Sequence, residues 1–164
     1  MKYLDNFGKK ELIGMAIKSE IESERIYSQL ANRVKNAFLK DKLLFLSSEE
    51  NGHKRFLEST FSDILGNGEV HMPQGVEVPL PSITIDSEND PVSYILEECV
   101  KAEENARVFY ESISELFVDE GIKNMLEILA RMEYSHQLIL ENELENAKRF
   151  EDYDTEWPMM HVGP

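Results

Sequence analysis

Between Lys9 and about Lys35 the positions suited to a core are Leu12, Ala16, Glu20, Ser23, Tyr27, Leu30 and Val34, separated by steps of three and four. That spacing predicts a helix with one inward stripe. A second helical stretch, roughly Leu39 to Phe61, places Leu43, Leu46, Glu50, His53 and Leu57 on one face. The link between the two is too short for anything but an antiparallel neighbour, so the first half reads as a helical hairpin.

The hairpin is written twice. Adding 83 to each position of the first stripe gives Ile95, Cys99, Glu103, Ala106, Tyr110, Ile113 and Phe117, again at helical spacing. The same offset carries Leu43, Leu46, Glu50, His53 and Leu57 onto Leu126, Leu129, Glu133, His136 and Leu140, so the fourth helix repeats the second. Asp119, Glu120 and Gly121 mark the turn between the third and fourth helices.

Residues 62–90 contain Gly66, Gly68, Pro73, Gly75, Pro79 and Pro81, which break any helix. Neighbouring antiparallel helices need only a few residues of loop, so a connector this long asks for a reason. A crossover supplies one. If the second and third helices run parallel, the chain must travel the length of the bundle, about 40 Å at the helical rise, which an extended segment spans easily. Val76-Glu77-Val78 and Ile83-Thr84-Ile85 read as extended or briefly paired, without the look of a sheet core. The expected architecture is all-α: a four-helix bundle over residues 1–150, made of two repeated hairpins joined by a long crossover, then a C-terminal tail over 151–164 with Trp157, Met159, Met160 and His161.

At 164 residues the chain suits one domain with its own apolar core. Its 17 Lys and Arg against 32 Asp and Glu leave a net charge of -15, which would repel a phosphate backbone. Nucleic acid is excluded as an expected partner. No stretch approaches the roughly 20 apolar residues of a membrane span, and the start has no apolar signal-peptide run. Cys99 is the only cysteine, so neither a disulfide framework nor a Cys-x-x-Cys knuckle is expected. A reducing, cytoplasmic setting fits best.

The acidic excess takes on meaning at six positions. Glu50-x-x-His53 and Glu133-x-x-His136 each place a carboxylate and an imidazole on one helix face. Both pairs fall on stripes otherwise filled by leucine, and Glu20 and Glu103 fall on the facing stripes. An unpaired charge at such positions costs several kcal/mol, so four buried carboxylates call for cations. Two divalent ions balance four carboxylates and two neutral imidazoles. An oxygen-rich donor set with one nitrogen per metal and no thiolate suits iron or manganese and tolerates zinc or cobalt. The bland reading, incidental polar residues in a plain bundle acting as an interaction module, would leave those charges without counterparts.

One Glu from each of two helices plus Glu-x-x-His from each of the other two is the ligand pattern of ferritin-like di-iron proteins. With Tyr27 seven residues after Glu20, the pattern resembles rubrerythrin over the whole bundle. The resemblance implies a ferritin-like fold and a centre of two iron ions. By it Glu50 and Glu133 bridge the metals, Glu20 and Glu103 are terminal carboxylates, and His53 and His136 each bind one metal. It also implies an oxidoreductase that reduces peroxide or dioxygen at the expense of ferrous iron, within a homodimer or larger homo-oligomer. Two departures matter. A single cysteine cannot build the family's rubredoxin-like iron-thiolate module, so electrons are expected from a separate donor, such as a rubredoxin-like protein, or from ferrous iron itself. Where rubrerythrin has a further glutamate three residues after the third-helix ligand, this chain has Ala106.

Tyr27 and Tyr110 are repeat equivalents, and a buried tyrosine hydroxyl usually needs a partner. Their hydroxyls are expected to bond ligand carboxylates of another helix and so support the centre. Cys99, equivalent to Ala16, reads as a small buried hydrophobe. Glu24 and Arg107 are also equivalent and would either pair across the bundle or take ordinary partners on their own helices. His71 reads as solvated. The rival function is iron handling, a ferroxidase or storage protein that detoxifies ferrous ion.

Overall fold

The computed structural model describes residues 4–65 and 91–156. A 3-10 turn, Leu4–Asn6, leads into α1 (Lys9–Arg33) and α2 (Ala37–Thr60), and a single-turn α3 (Ser62–Leu65) follows. After the connector come α4 (Val92–Ser114) and α5 (Glu120–Glu156). Among the described residues there is no strand, and no helix is long and apolar enough to cross a membrane. The two extended motifs expected in the connector, His71, and the tail residues Trp157 to His161 lie outside the described residues.

Helix ends follow local chemistry. The Asn36 side chain accepts from the Phe38 and Leu39 amides at 3.0 and 3.2 Å, which starts α2. Asp119 accepts from the Ile122 amide at 3.0 Å and starts α5, so Gly121 lies in the first turn of that helix and not in the link before it. Two boundaries differ from the sequence reading. Residues 62–65, assigned to the connector, form α3, and its Ile64 packs on the core. Residues 151–156, assigned to the tail, continue α5. The acidic run there lacks apolar periodicity but contains no breaker; Pro158, beyond it, is the first residue that a helix cannot absorb.

α1 packs along α2 and α4 along α5, giving the two expected hairpins. Contacts across them set their direction. Tyr27 reaches Glu103 while Tyr110 reaches Glu20, so α1 and α4 run antiparallel. Since α1 is also antiparallel to α2, helices α2 and α4 are parallel, the arrangement that makes the connector cross the length of the bundle.

The apolar interior is divided in two. One cluster joins Leu12, Ala16, Leu57, Tyr110, Ile113, Phe117, Leu126 and Leu129. The other joins Tyr27, Leu30, Val34, Leu43, Leu46, Ile95, Cys99 and Leu140. Under the offset of 83, each of these residues in one cluster maps onto a residue of the other: Leu12 onto Ile95, Tyr27 onto Tyr110, Leu43 onto Leu126, Leu57 onto Leu140. The repeat therefore exchanges the two ends of the bundle. Its pseudo-two-fold axis crosses the middle, in the polar layer between the clusters.

Candidate metal centre

That layer consists of Glu20 on α1, Glu50 and His53 on α2, Glu103 on α4, and Glu133 and His136 on α5. None is more than 3% exposed. One turn to either side of Glu20 stand Ala16 and Ser23, and of Glu103, Cys99 and Ala106. These small residues leave room for side chains reaching in from α2 and α5. Leucines flank the two Glu-x-x-His pairs and seal the layer above and below.

Donor atoms of Glu50, His53, Glu133 and His136 lie within 4.8 Å of one another. The distances sort the carboxylates. His53 Nδ1 is 3.3 Å from Glu20, 3.5 Å from Glu50 and 3.1 Å from Glu133. His136 Nδ1 is 2.9 Å from Glu50, 3.8 Å from Glu103 and 3.7 Å from Glu133. Glu50 and Glu133 thus approach both imidazoles, Glu20 approaches His53, and Glu103 approaches His136. The two rings stack with centroids 5.3 Å apart and planes 13° from parallel.

Proximity here is only partly hydrogen bonding: His53 Nδ1 and Glu20 Oε2 are bonded at 3.3 Å, but other close pairs are not. His136 Nδ1 and Glu50 Oε1 are buried and close, yet neither has a hydrogen-bond partner, and the same holds for Glu133 Oε1 beside His53. These donor atoms converge on one small volume without bonding one another. Buried polar atoms in native structures are normally satisfied, and such convergence satisfies them when a cation sits at the shared point. The donor set therefore fits divalent metal ions.

The carboxylates that face the ring nitrogens are held from behind. Tyr27 donates its hydroxyl to Glu103 Oε1, and Tyr110 donates to Glu20 Oε1, each bond joining α1 to α4. Burial, then the negative charge of Glu103 or Glu20, pushes both phenols well above their ordinary pKa, so both remain donors.

Electrostatics show how strongly the layer draws positive charge. Burial first, then Glu133 and Glu20, raises Glu50 well above the ordinary carboxylate range. Burial, Glu50 and Glu133 do the same to Glu103. Burial opposes charge on His53 and His136, but Glu133 and the surrounding carboxylates outweigh it and raise both imidazoles. Burial also opposes charge on Glu133, yet the imidazoles of His136 and His53 beside it hold that carboxyl low. Protons and metal ions would compete for the same carboxylates and imidazoles.

All six residues singled out by spacing come together, as do both tyrosines. Cys99 is fully buried in the apolar cluster, and burial followed by Glu103 pushes its thiol well above its usual pKa. Arg107 pairs with Glu111 at 2.8 Å and not, among the described residues, with Glu24 or Glu103. Periodicity missed a link between the hairpins: Glu143, buried on α5, accepts from Lys42 on α2. Its signal was its place three residues after Leu140 on the inward stripe.

The sequence profile of the family described as Rubrerythrin matches residues 11–144. Among solved structures, the chain is similar to a hypothetical protein from Pyrococcus furiosus, with 31% identity and a TM-score of 0.78, covering 91% of this chain and 96% of that one. It also shares its fold with a manganese catalase, KatB from Anabaena PCC7120, at 22% identity and a TM-score of 0.65, covering 85% of this chain and 74% of the other. No curated protein matches. A profile match across most of the chain, over a bundle whose polar layer is made of paired Glu-x-x-His motifs, has one consequence: the chain belongs to the rubrerythrin family.

Proposed function

We propose that the polar layer holds two divalent metal ions, iron in the working protein, and that the chain is a di-iron oxidoreductase reducing peroxide or dioxygen with electrons from ferrous iron. One observation carries this reading: Glu50 and Glu133 each approach both imidazoles, whereas Glu20 and Glu103 each approach only one. That is the division of labour between bridging and terminal carboxylates. Glu20 and His53 would hold one ion, Glu103 and His136 the other, and Glu50 and Glu133 would bridge. When bound, a pair of ferrous ions supplies two electrons, the number needed to reduce peroxide to water.

The chain's own part is positional. Tyr27 and Tyr110 each occupy one oxygen of a terminal carboxylate and leave the other facing the imidazole. Leu46, Leu129, Leu57 and Leu140 keep bulk water from the layer, which strengthens every electrostatic interaction inside it. Electrons return from a separate donor protein, and copies of the chain associate as a homodimer or larger assembly.

The test is anaerobic loading with ferrous iron, followed by optical titration with hydrogen peroxide and, separately, with air. Binding of two ions per chain and oxidation of both by either oxidant are expected. Failure to bind iron, or binding without oxidation, would sink the reading. Hundreds of iron ions per chain would favour storage instead.

A further inference from the structure

Gly52 sits inside α2, between Glu50 and His53. Glycine in a helix interior costs about 1 kcal/mol relative to alanine, so its presence asks for a compensation. Its backbone needs none, because it is helical without a positive φ. Close packing does not demand it either, since a Cβ built there meets no heavy atom within 4 Å.

The open space beside Gly52 belongs to a cavity of about 210 Å³ between α2 and α5. Phe56 and Ile128, 37% and 46% exposed, flank its outer part, while Leu129 and His53, 2% and 3% exposed, lie at its inner end. Met132 completes an apolar wall, and Glu49 is the one ionisable lining group besides the imidazole. A depression graded from exposed to buried, and ending on a residue of the polar layer, is a path inward.

We infer that the Gly52 groove is the route by which dioxygen reaches the polar layer, arriving on the His53 side. This rests on the proposed function. Its volume is several times the roughly 30 Å³ occupied by a water molecule, ample for a diatomic gas. The lining selects among candidates. A hydrated ferrous ion would have to shed its shell against Phe56, Ile128, Leu129 and Met132, and peroxide would lose hydrogen bonds that these side chains cannot replace. Dioxygen has neither to lose.

The wall of the groove differs at the repeat-related position, although the bundle is pseudo-symmetric. The repeat equivalent of Gly52 is Ser135, whose hydroxyl folds back to donate to the Arg131 carbonyl at 3.1 Å. At the position just before the imidazole, α5 therefore carries a side chain where α2 carries none.

Two measurements test the route. In the first, metal-free crystals are pressurised with xenon, an apolar probe known to occupy dry cavities. Xenon is expected beside His53 in the parent and in Ser135→Leu, and absent in Gly52→Leu. In the second, protein loaded with ferrous iron is mixed with dioxygen or hydrogen peroxide in a stopped-flow instrument. Gly52→Leu is expected to slow oxidation by dioxygen at least tenfold at unchanged metal content, leaving the peroxide rate alone. Ser135→Leu should change neither, and Gly52→Ala should raise Tm with little effect on rate. No xenon beside His53, an unchanged dioxygen rate in Gly52→Leu, or equal slowing by both oxidants would each overturn the route. A parent protein that binds no iron would instead overturn the proposed function, and xenon would still report whether the groove is a gas site.

Discussion

Tyr27 on α1 donates its hydroxyl to Glu103 on α4, and the repeat turns this bond into its mirror, Tyr110 to Glu20. Each hairpin thereby orients a carboxylate of the other. With few close backbone approaches between α1 and α4, these two bonds register the hairpins at the level of the polar layer.

Removing one such hydroxyl leaves a fully buried carboxylate oxygen without its donor. Tyr27→Phe is expected to cost about 1–3 kcal/mol, the usual penalty for a buried group left unsatisfied. Tyr110→Phe should cost the same, because the two sites are equivalent. Urea denaturation of the chelated proteins measures both; a loss below about 0.3 kcal/mol in either would show that the bond does not hold the hairpins together.

The sorting of distances around the imidazoles makes Glu50 and Glu133 common to both ions. Replacing the two together by alanine should abolish binding of both iron equivalents, whereas Glu20→Ala alone should weaken one ion more than the other. Iron counted per chain after anaerobic reconstitution decides it. Two tightly held ions in the Glu50→Ala, Glu133→Ala double variant would place the centre elsewhere.

Chelation and pH act together on stability. Metal bound by the native ligands and much less by the unfolded chain stabilises by mass action, about 2.7 kcal/mol per site at a hundredfold excess over Kd. In chelated protein, Glu50 and Glu103 are raised above the ordinary 4.5 and the imidazoles above 6.5. Above pH 4.5 the native state therefore binds more protons than the unfolded chain, and stability falls as pH rises. Glu133, shifted the other way, contributes its opposite slope only below that range. Metal displaces these protons, so the stabilisation it confers should widen from pH 5 to pH 8. Melting curves with and without chelator across that interval check the sign; a gap that narrows towards pH 8 would contradict it.

Much of this was legible in the sequence because helix faces are local. Glu20, Glu50, His53 and their equivalents announce themselves as polar residues on leucine stripes, and the offset of 83 removes chance from the pattern. What pairs with what is tertiary: each tyrosine is expected to bond a carboxylate of another helix, but nothing in the spacing says that Tyr27 takes Glu103 and Tyr110 takes Glu20. The end of α5 was hidden because an acidic run has no apolar period, though its helix continues. Gly52 is not singled out by the stripes at all. Its meaning depends on Phe56, Ile128 and Met132 standing around it, which no stripe reports.

Ala106 tests how far the centre departs from the family pattern. It lies one turn beyond Glu103, buried and 8% exposed, where the resemblance calls for a further glutamate. With the symmetric set of six, the two ions should sit in near-equivalent environments, and oxidation should not require either to exchange a histidine for a carboxylate. Ala106→Glu points a fifth carboxylate at the layer from the helix face that carries Glu103. Without metal, that added acid is buried and uncompensated, so the chelated variant should be destabilised by several kcal/mol. With metal it has a cation to meet, and most of the loss should be recovered. The variant is expected to oxidise faster with peroxide relative to dioxygen than the parent does, at two ions per chain. Stopped-flow oxidation of both proteins with both oxidants gives the ratio directly. If metal is retained and the peroxide-to-oxygen ratio does not change, Ala106 is not what sets the oxidant preference of this centre.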